Sequence, residues 1–184
     1  MLLIVGLGNP GGEYEKTRHN AGFMLIDRLC GEYSVKLRKG ARGLWGFARI
    51  AGQEAMLLKP MTYMNLSGEA LAEVLREQPI PPASIIAAFD DCDLPLGKVR
   101  IRKGGGSGGH RGLASLIDTI GTKEFPRIRL GVGRPLEGDI IDYVLSPFAP
   151  DEQPALEEML GRAKEALESV ITSGIEQAMN RFNA

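Results

Sequence analysis

The chain opens on an uninterrupted apolar run, Leu2 to Leu7, that stops among glycines. A strand that is apolar at every position, rather than at alternate ones, has no face to give to water. It belongs inside a sheet covered by helices on both sides. That requirement points to an α/β fold, and the later patterns agree. Phe23, Ile26, Cys30 and Tyr33 recur at helical spacing, while Leu44 to Ile50 and Ala55 to Leu58 read as strands, the second closed by Pro60. Leu66, Ala70, Leu71, Val74 and Leu75 share a helical face that Pro79 to Pro82 terminates. Ile85 to Phe89 predicts a further buried strand. Val99 and Ile101 alternate with Arg100 and Arg102, the pattern of a half-buried strand with one cationic face. Leu113, Leu116, Ile117 and Ile120 predict a helix, Ile128 to Val132 a strand, and Leu156 to Phe182 a long terminal helix or a broken pair. The expectation is one α/β domain over residues 1–184, a twisted mixed β-sheet flanked by helices.

Composition removes several classes of function. Hydrophobic residues make up 43% and charged residues 24%, which suits a globular chain rather than a disordered one. No stretch approaches the 18 or so apolar residues of a membrane span, so a soluble, cytoplasmic protein is expected. Two cysteines, Cys30 and Cys92, do not make a disulfide framework, and two histidines, His19 and His110, do not give ordinary zinc spacing. A structural metal is not expected.

Formal net charge is −1, yet the charges are unevenly spread. Lys98 to Arg134 holds nine basic residues against Asp118 and Glu124, and Tyr33 to Gln53 holds five basic residues and no acid. Were the fold to bring these stretches together, one face would attract a polyanion.

Two motifs mislead. Gly6-Leu-Gly8-Asn-Pro-Gly11 matches a dinucleotide fingerprint, but Pro10 and the polar run Glu13 to Asn20 delay the helix, and Asp27 lies inside that helix rather than at a second strand tip. Gly105-Gly-Ser107-Gly-Gly109 matches a nucleophile elbow, but no histidine follows His110 to complete a triad in hydrolase order. The glycine loop, with Arg102, Lys103 and Arg111 beside it, reads better as a clamp for an anionic chain. The combination that carries chemistry is Asn9, His19, Asn65 and Asp90, all at predicted strand or helix ends. An imidazole with an unperturbed pKa of about 6.5 can take a proton from water, a carboxylate can orient it, and amides can donate to an oxyanion. Each also has an ordinary structural reading: turn former, helix cap, surface residue or loop acid.

The strings Val5-Gly-Leu-Gly-Asn-Pro-Gly11, Thr17-Arg-His-Asn-Ala-Gly22, Lys59-Pro-Met-Thr-Tyr-Met-Asn-Leu-Ser-Gly68, Asp90-Asp-Cys-Asp-Leu-Pro95, Gly104 to Leu113 and Arg127 to Pro135, with Tyr14 between the first two, resemble bacterial-type peptidyl-tRNA hydrolases in family order. The resemblance implies a peptidyl-tRNA hydrolase-like fold, of the phosphorylase/hydrolase-like kind. It also implies a monomeric enzyme, without metal or cofactor, that hydrolyses the ester between peptide and tRNA. Its substrate would be held by the acceptor stem and the peptide. His19 matches the family's base and Asp90 the acid that orients it. Asn9 and Asn65 match the asparagines that hold the peptidyl group and polarise its carbonyl or position water. Tyr14 and Met64 match cleft residues, Arg102 and Arg129 match positions associated with tRNA phosphate, and His110 matches a loop histidine of secondary role. Arg111 departs from the pattern, since the family commonly has asparagine there. An arginine accepts no hydrogen bond, so the expectation is that Asn9 and Asn65 suffice while Arg111 adds a phosphate contact. Two rival readings are a non-hydrolysing RNA-binding protein of the same fold and a serine esterase using Ser107.

Overall fold

The computed structural model describes residues 1–184. Seven strands, β1 (Leu2–Gly6), β2 (Arg38–Gly40), β3 (Gly43–Ile50), β4 (Gln53–Pro60), β5 (Ile85–Asp91), β6 (Val99–Arg102) and β7 (Arg127–Gly131), form one sheet in the order β2-β3-β4-β1-β5-β7-β6. The inner strands β4, β1, β5 and β7 run parallel, and β2, β3 and β6 join antiparallel, so the sheet is mixed as the sequence predicts. Six helices complete the chain: α1 (Ala21–Glu32), α2 (Ser67–Glu77), α3 (Arg111–Ile120), α4 (Ile140–Val144), α5 (Gln153–Ser173) and α6 (Ile175–Phe182).

The central position of β1 explains its unbroken hydrophobicity. Ile4 points into a core shared with Leu25, Ile26 and Leu29 of α1, Leu160 and Ala163 of α5, and Phe182 of α6. Leu3 and Val5 point to the opposite core, beneath Leu71 and Val74 of α2 and Leu113 and Leu116 of α3. Each fully buried side chain of this kind contributes about 1.5–3 kcal/mol. At the carboxyl ends of β1 and β5, α1 packs so closely that a Cβ on Gly22 would lie 2.4 Å from the Ala88 carbonyl oxygen and 2.5 Å from the Leu7 nitrogen. Glycine at this position lets the start of α1 sit on the sheet ends.

Several details differ from the sequence reading. β2 is three exposed residues without apolar alternation, so no pattern announced it. α4 is a short helix with no buried residue. Leu66, assigned to an apolar helical face, is 41% exposed because it precedes α2 as its cap residue. The terminal helix is a pair, broken at Gly174, whose φ of +83° suits a residue without Cβ. The two basic stretches do not come together. β2 and β6 are opposite edges of the sheet, six inter-strand spacings or about 29 Å apart.

Candidate active site

The reactive groups gather where the parallel strands end. Asn9 lies three residues past β1, His19 in a 3₁₀ turn (Arg18–Asn20) that leads into α1, Asp90 near the end of β5, and His110 at the N-cap of α3. His19 Nδ1 is 2.9 Å from both carboxylate oxygens of Asp90, and His110 Nε2 is 2.8 Å from Asp90 Oδ1. The Asp90 side chain is 2% exposed and His19 16%. An ionised carboxylate only accepts, so both rings must donate to it. His19 therefore carries its proton on Nδ1, and its Nε2 lone pair is free. His110 Nδ1 accepts from the Leu113 amide at 3.2 Å, which fixes the His110 proton on Nε2. Burial by itself raises the Asp90 pKa, but the charge and hydrogen bonds of His110 and then His19 outweigh it and hold the carboxyl well below the usual range.

His19, Asp90 and His110 offer ligand atoms within 4.8 Å of one another, a convergence that histidine spacing did not predict. The hydrogen bonds argue against a metal there. A neutral imidazole has one lone pair, and His110 uses its own on Leu113, so Nε2 could ligate only if that helix cap were given up.

Asn9 is clamped. Its backbone N–H donates to Asn20 Oδ1 at 2.9 Å, and Asn20 Nδ2 donates back to the Asn9 carbonyl at 3.0 Å. The Asn9 side-chain oxygen accepts from the Met64 amide at 2.8 Å, so the amide orientation is settled and its NH₂ group is left as a donor at the cleft. Asn65 follows Met64 in a 3₁₀ turn and is exposed on the rim. Asn20 was not singled out by sequence reasoning as a clamp, since its partner lies eleven residues away across a loop.

A cleft of about 810 Å³ connects these groups. One part is apolar, lined by Tyr63, Met64, Phe89, Leu113, Ile140, Ile141 and Leu145, with Tyr14 and Asn65 also on the wall. The other holds the glycine loop Gly104 to Gly109 and the guanidinium groups of Arg102, Arg111, Arg127, Arg129 and Arg134. These cations are not equivalent. Arg129 is paired with Asp91 at 2.5 Å, and Arg134 is paired with Asp93. Arg127 is buried and holds the loop, donating to the carbonyls of Gly105 at 2.7 Å and Lys123 at 2.6 Å. Arg102 and Arg111 are exposed and make no ion pair, which leaves them the free cations of the cleft. Ser107 has no base within hydrogen-bonding distance of its hydroxyl; only its carbonyl is engaged, by the His110 amide. Cys92 also lines the cleft, but burial, then Asp90 and Asp91, push its thiol up to about 11, so it stays protonated.

The segment from Gly138 to Pro150 contributes α4 to the cleft wall. Its anchor is Arg18, a residue the sequence reading passed over. This buried guanidinium bonds Ser146 Oγ at 2.5 Å and Glu152 at 2.6 Å, and lies 4.1 Å over the Tyr143 ring. Its neighbour in the chain is His19, so the wall and the imidazole share one support.

Similarity to known proteins accords with this geometry. The family model described as peptidyl-tRNA hydrolase matches residues 3–184. A peptidyl-tRNA hydrolase of Carboxydothermus hydrogenoformans is 47% identical, covering 100% of this chain and 98% of that protein. That of Bacillus subtilis is 45% identical, covering 100% and 99%. The crystal structure of peptidyl-tRNA hydrolase from Acinetobacter baumannii superposes with a TM-score of 0.93 at 37% identity, covering 100% of this chain and 95% of that one. With the family model matched over nearly its whole length and such relatives along all of it, the chain belongs to the peptidyl-tRNA hydrolase family.

Proposed function

We propose that the chain is an enzyme that hydrolyses the ester joining a peptide to the terminal ribose of tRNA, by a water molecule activated at His19. The observation that carries this reading is the orientation of one ring: Asp90 accepts a hydrogen bond from Nδ1–H of His19, which leaves the Nε2 lone pair free in a ring that lines the same cleft as the Asn9 amide.

Water bound at Nε2 gives its proton to the ring as its oxygen attacks the ester carbonyl carbon. Asp90 stabilises the imidazolium that forms. Negative charge moves onto the former carbonyl oxygen, where the NH₂ group of Asn9 donates. A donor held in advance by Met64 needs no reorganisation, and such a donor is worth on the order of 10² to 10³ in rate. The tetrahedral intermediate collapses by breaking the bond to the ribose oxygen, which receives the proton from His19 Nε2. The products are a peptide with a free carboxylate and a tRNA with both terminal hydroxyls restored. His110 acts one step away, through Asp90 and the start of α3.

The apolar half of the cleft, with Tyr14 and Met64, suits the peptide, and Asn65 on its rim suits the peptide backbone. The cationic half suits the acceptor end of the tRNA. Arg102 and Arg111 are free to meet phosphate, whereas Arg129 would have to share its guanidinium with Asp91. A single domain over residues 1–184, acting as a monomer in the cytoplasm without a resident metal or cofactor, completes the reading; no helix is long and apolar enough to cross a membrane.

The test is ester release from N-acetyl-aminoacyl-tRNA. His19→Ala should remove turnover while tRNA binding persists, and Ser107→Ala should leave turnover intact. Wild-type rates from His19→Ala, or inactivity of Ser107→Ala, would overturn the assignment.

A further inference from the structure

The register of the sheet sets a second cationic surface on the cleft side of the molecule. In the edge hairpin, Arg38 lies opposite Trp45, Trp45 opposite Leu58, and Phe47 opposite Met56. Residues directly opposed share a face, and Leu58 and Met56 belong to the core beneath α2 and α3. Arg38, Trp45, Phe47 and Arg49 therefore look out on the same side as that core. At the far edge, Val99 and Ile101 fill the other core, which turns Arg100 and Arg102 to this same side. One sheet face thus carries cations along both edges, about 29 Å apart.

The hairpin is more than a charged edge. The Arg38 guanidinium lies 3.7 Å from the centroid of Trp45, and Trp45 meets Phe47 edge to face at 5.5 Å. Phe47 is 39% exposed. Lys36, Arg38, Lys39 and Arg49 form no ion pair, although Glu54 is the cross-strand neighbour of Arg49. At the turn of the hairpin, Arg42 is paired with Glu69 and Glu73 of α2, so those two acids are neutralised. Discouraging edge-to-edge pairing requires only charge on a short strand. An exposed Phe47 ring and a half-buried Trp45 among unpaired cations add what nucleotides use, a ring to stack on and phosphate contacts.

We propose that the β2–β3 hairpin is a second RNA-binding surface, which grips the body of the tRNA at the sheet edge remote from Arg102 while the 3′ end lies in the cleft. This rests on the functional reading above, because the RNA is taken to be the substrate's own. The hairpin contributes binding and no chemistry.

The experiment compares two substrates, N-acetyl-aminoacyl-tRNA and the same N-acetyl-aminoacyl ester on a CCA trinucleotide, with the variants Arg38→Glu/Arg49→Glu and Phe47→Ala. On the full tRNA, KM should rise about tenfold in the double variant with kcat unchanged, and the salt dependence should flatten by roughly one unit of slope for each phosphate no longer neutralised. On the trinucleotide ester neither variant should differ from wild type. A KM on full tRNA within about twofold of wild type, or an equal loss on both substrates, would overturn the proposal. Affinity for deacylated tRNA gives an independent answer: it should weaken in the double variant, and equal affinity refutes the surface. Failure of the wild type to cleave either ester would reject the functional reading, and the deacylated tRNA would still decide the hairpin.

Discussion

Replacing Asp90 by asparagine is the sharpest perturbation of the site, because it keeps the shape and removes the charge and one acceptor. Asp90 accepts from His19 at 2.9 Å through both oxygens and from His110 at 2.8 Å through Oδ1. Asparagine has one acceptor and one donor group. With its oxygen at the Oδ1 position, both rings can still donate to that oxygen, but its NH₂ group then lies 2.9 Å from the same Nδ1–H, which weakens the bond and favours moving the His19 proton to Nε2, where it removes the basic lone pair. With its oxygen at Oδ2, the NH₂ group confronts the Nε2–H of His110, and relief there costs the cap on Leu113. In either orientation the negative charge beside the developing imidazolium is gone. A charge pair about 4 Å apart at an effective dielectric near 20 is worth about 4 kcal/mol, or about a thousandfold in rate. With the tautomer shift added, the loss is on the order of 10³ to 10⁴. Single-turnover hydrolysis of N-acetyl-aminoacyl-tRNA measures it, with tRNA affinity measured separately. The fall should lie in kcat, with KM little changed. A loss smaller than roughly tenfold, or one carried by KM, would refute the orienting role.

Asp90 also predicts a stability change with pH. Its folded pKa is depressed, so its contribution is complete above the unfolded value of 3.8 and is lost as pH falls below it. The stability advantage of wild type over Asp90→Asn should therefore shrink in urea unfolding between pH 5 and pH 3, and an advantage that grows on acidification would contradict the depressed pKa. Gly22→Ala should destabilise by about 2–4 kcal/mol, because the new Cβ meets backbone on both sides and neither neighbour can turn away; a change below about 0.5 kcal/mol would show that α1 can lift from the sheet. Arg18→Met should cost about 2–4 kcal/mol, less than a fully buried pair because Glu152 remains 19% exposed and still accepts from the Ala149 amide. The same variant should raise proteolysis within residues 138–150, and unchanged cleavage would remove Arg18 as the anchor of α4. Arg127→Met, which frees the carbonyls of Gly105 and Lys123, should raise KM for tRNA more than it lowers kcat; the opposite split would mean that the glycine loop serves the chemistry instead.

What the amino-acid string determined by itself is whatever a few adjacent residues can express. The solid apolar run of β1, the alternation of Val99 and Ile101 with Arg100 and Arg102, and the helical spacing in α1 and α3 each encode a local period and a buried face. From these the α/β class followed, as did the positions of Asn9, His19, Asn65 and Asp90 at element ends, while the ordered strings carried the family. β2 and α4 were silent because they bury nothing, and burial is what writes a period into a sequence. The tertiary structure alone decided matters that depend on register and distant partners. It brought His19 and Asp90 together across 71 residues, added His110 to the same carboxylate, and turned the Asn9 amide by way of Met64. It also sorted the basic residues, tying Arg129 to Asp91 and Arg127 to loop carbonyls while leaving Arg102 and Arg111 free, and it sent the two cationic stretches to opposite sheet edges. Charge is a property of a residue, but its availability depends on the neighbour that folding supplies.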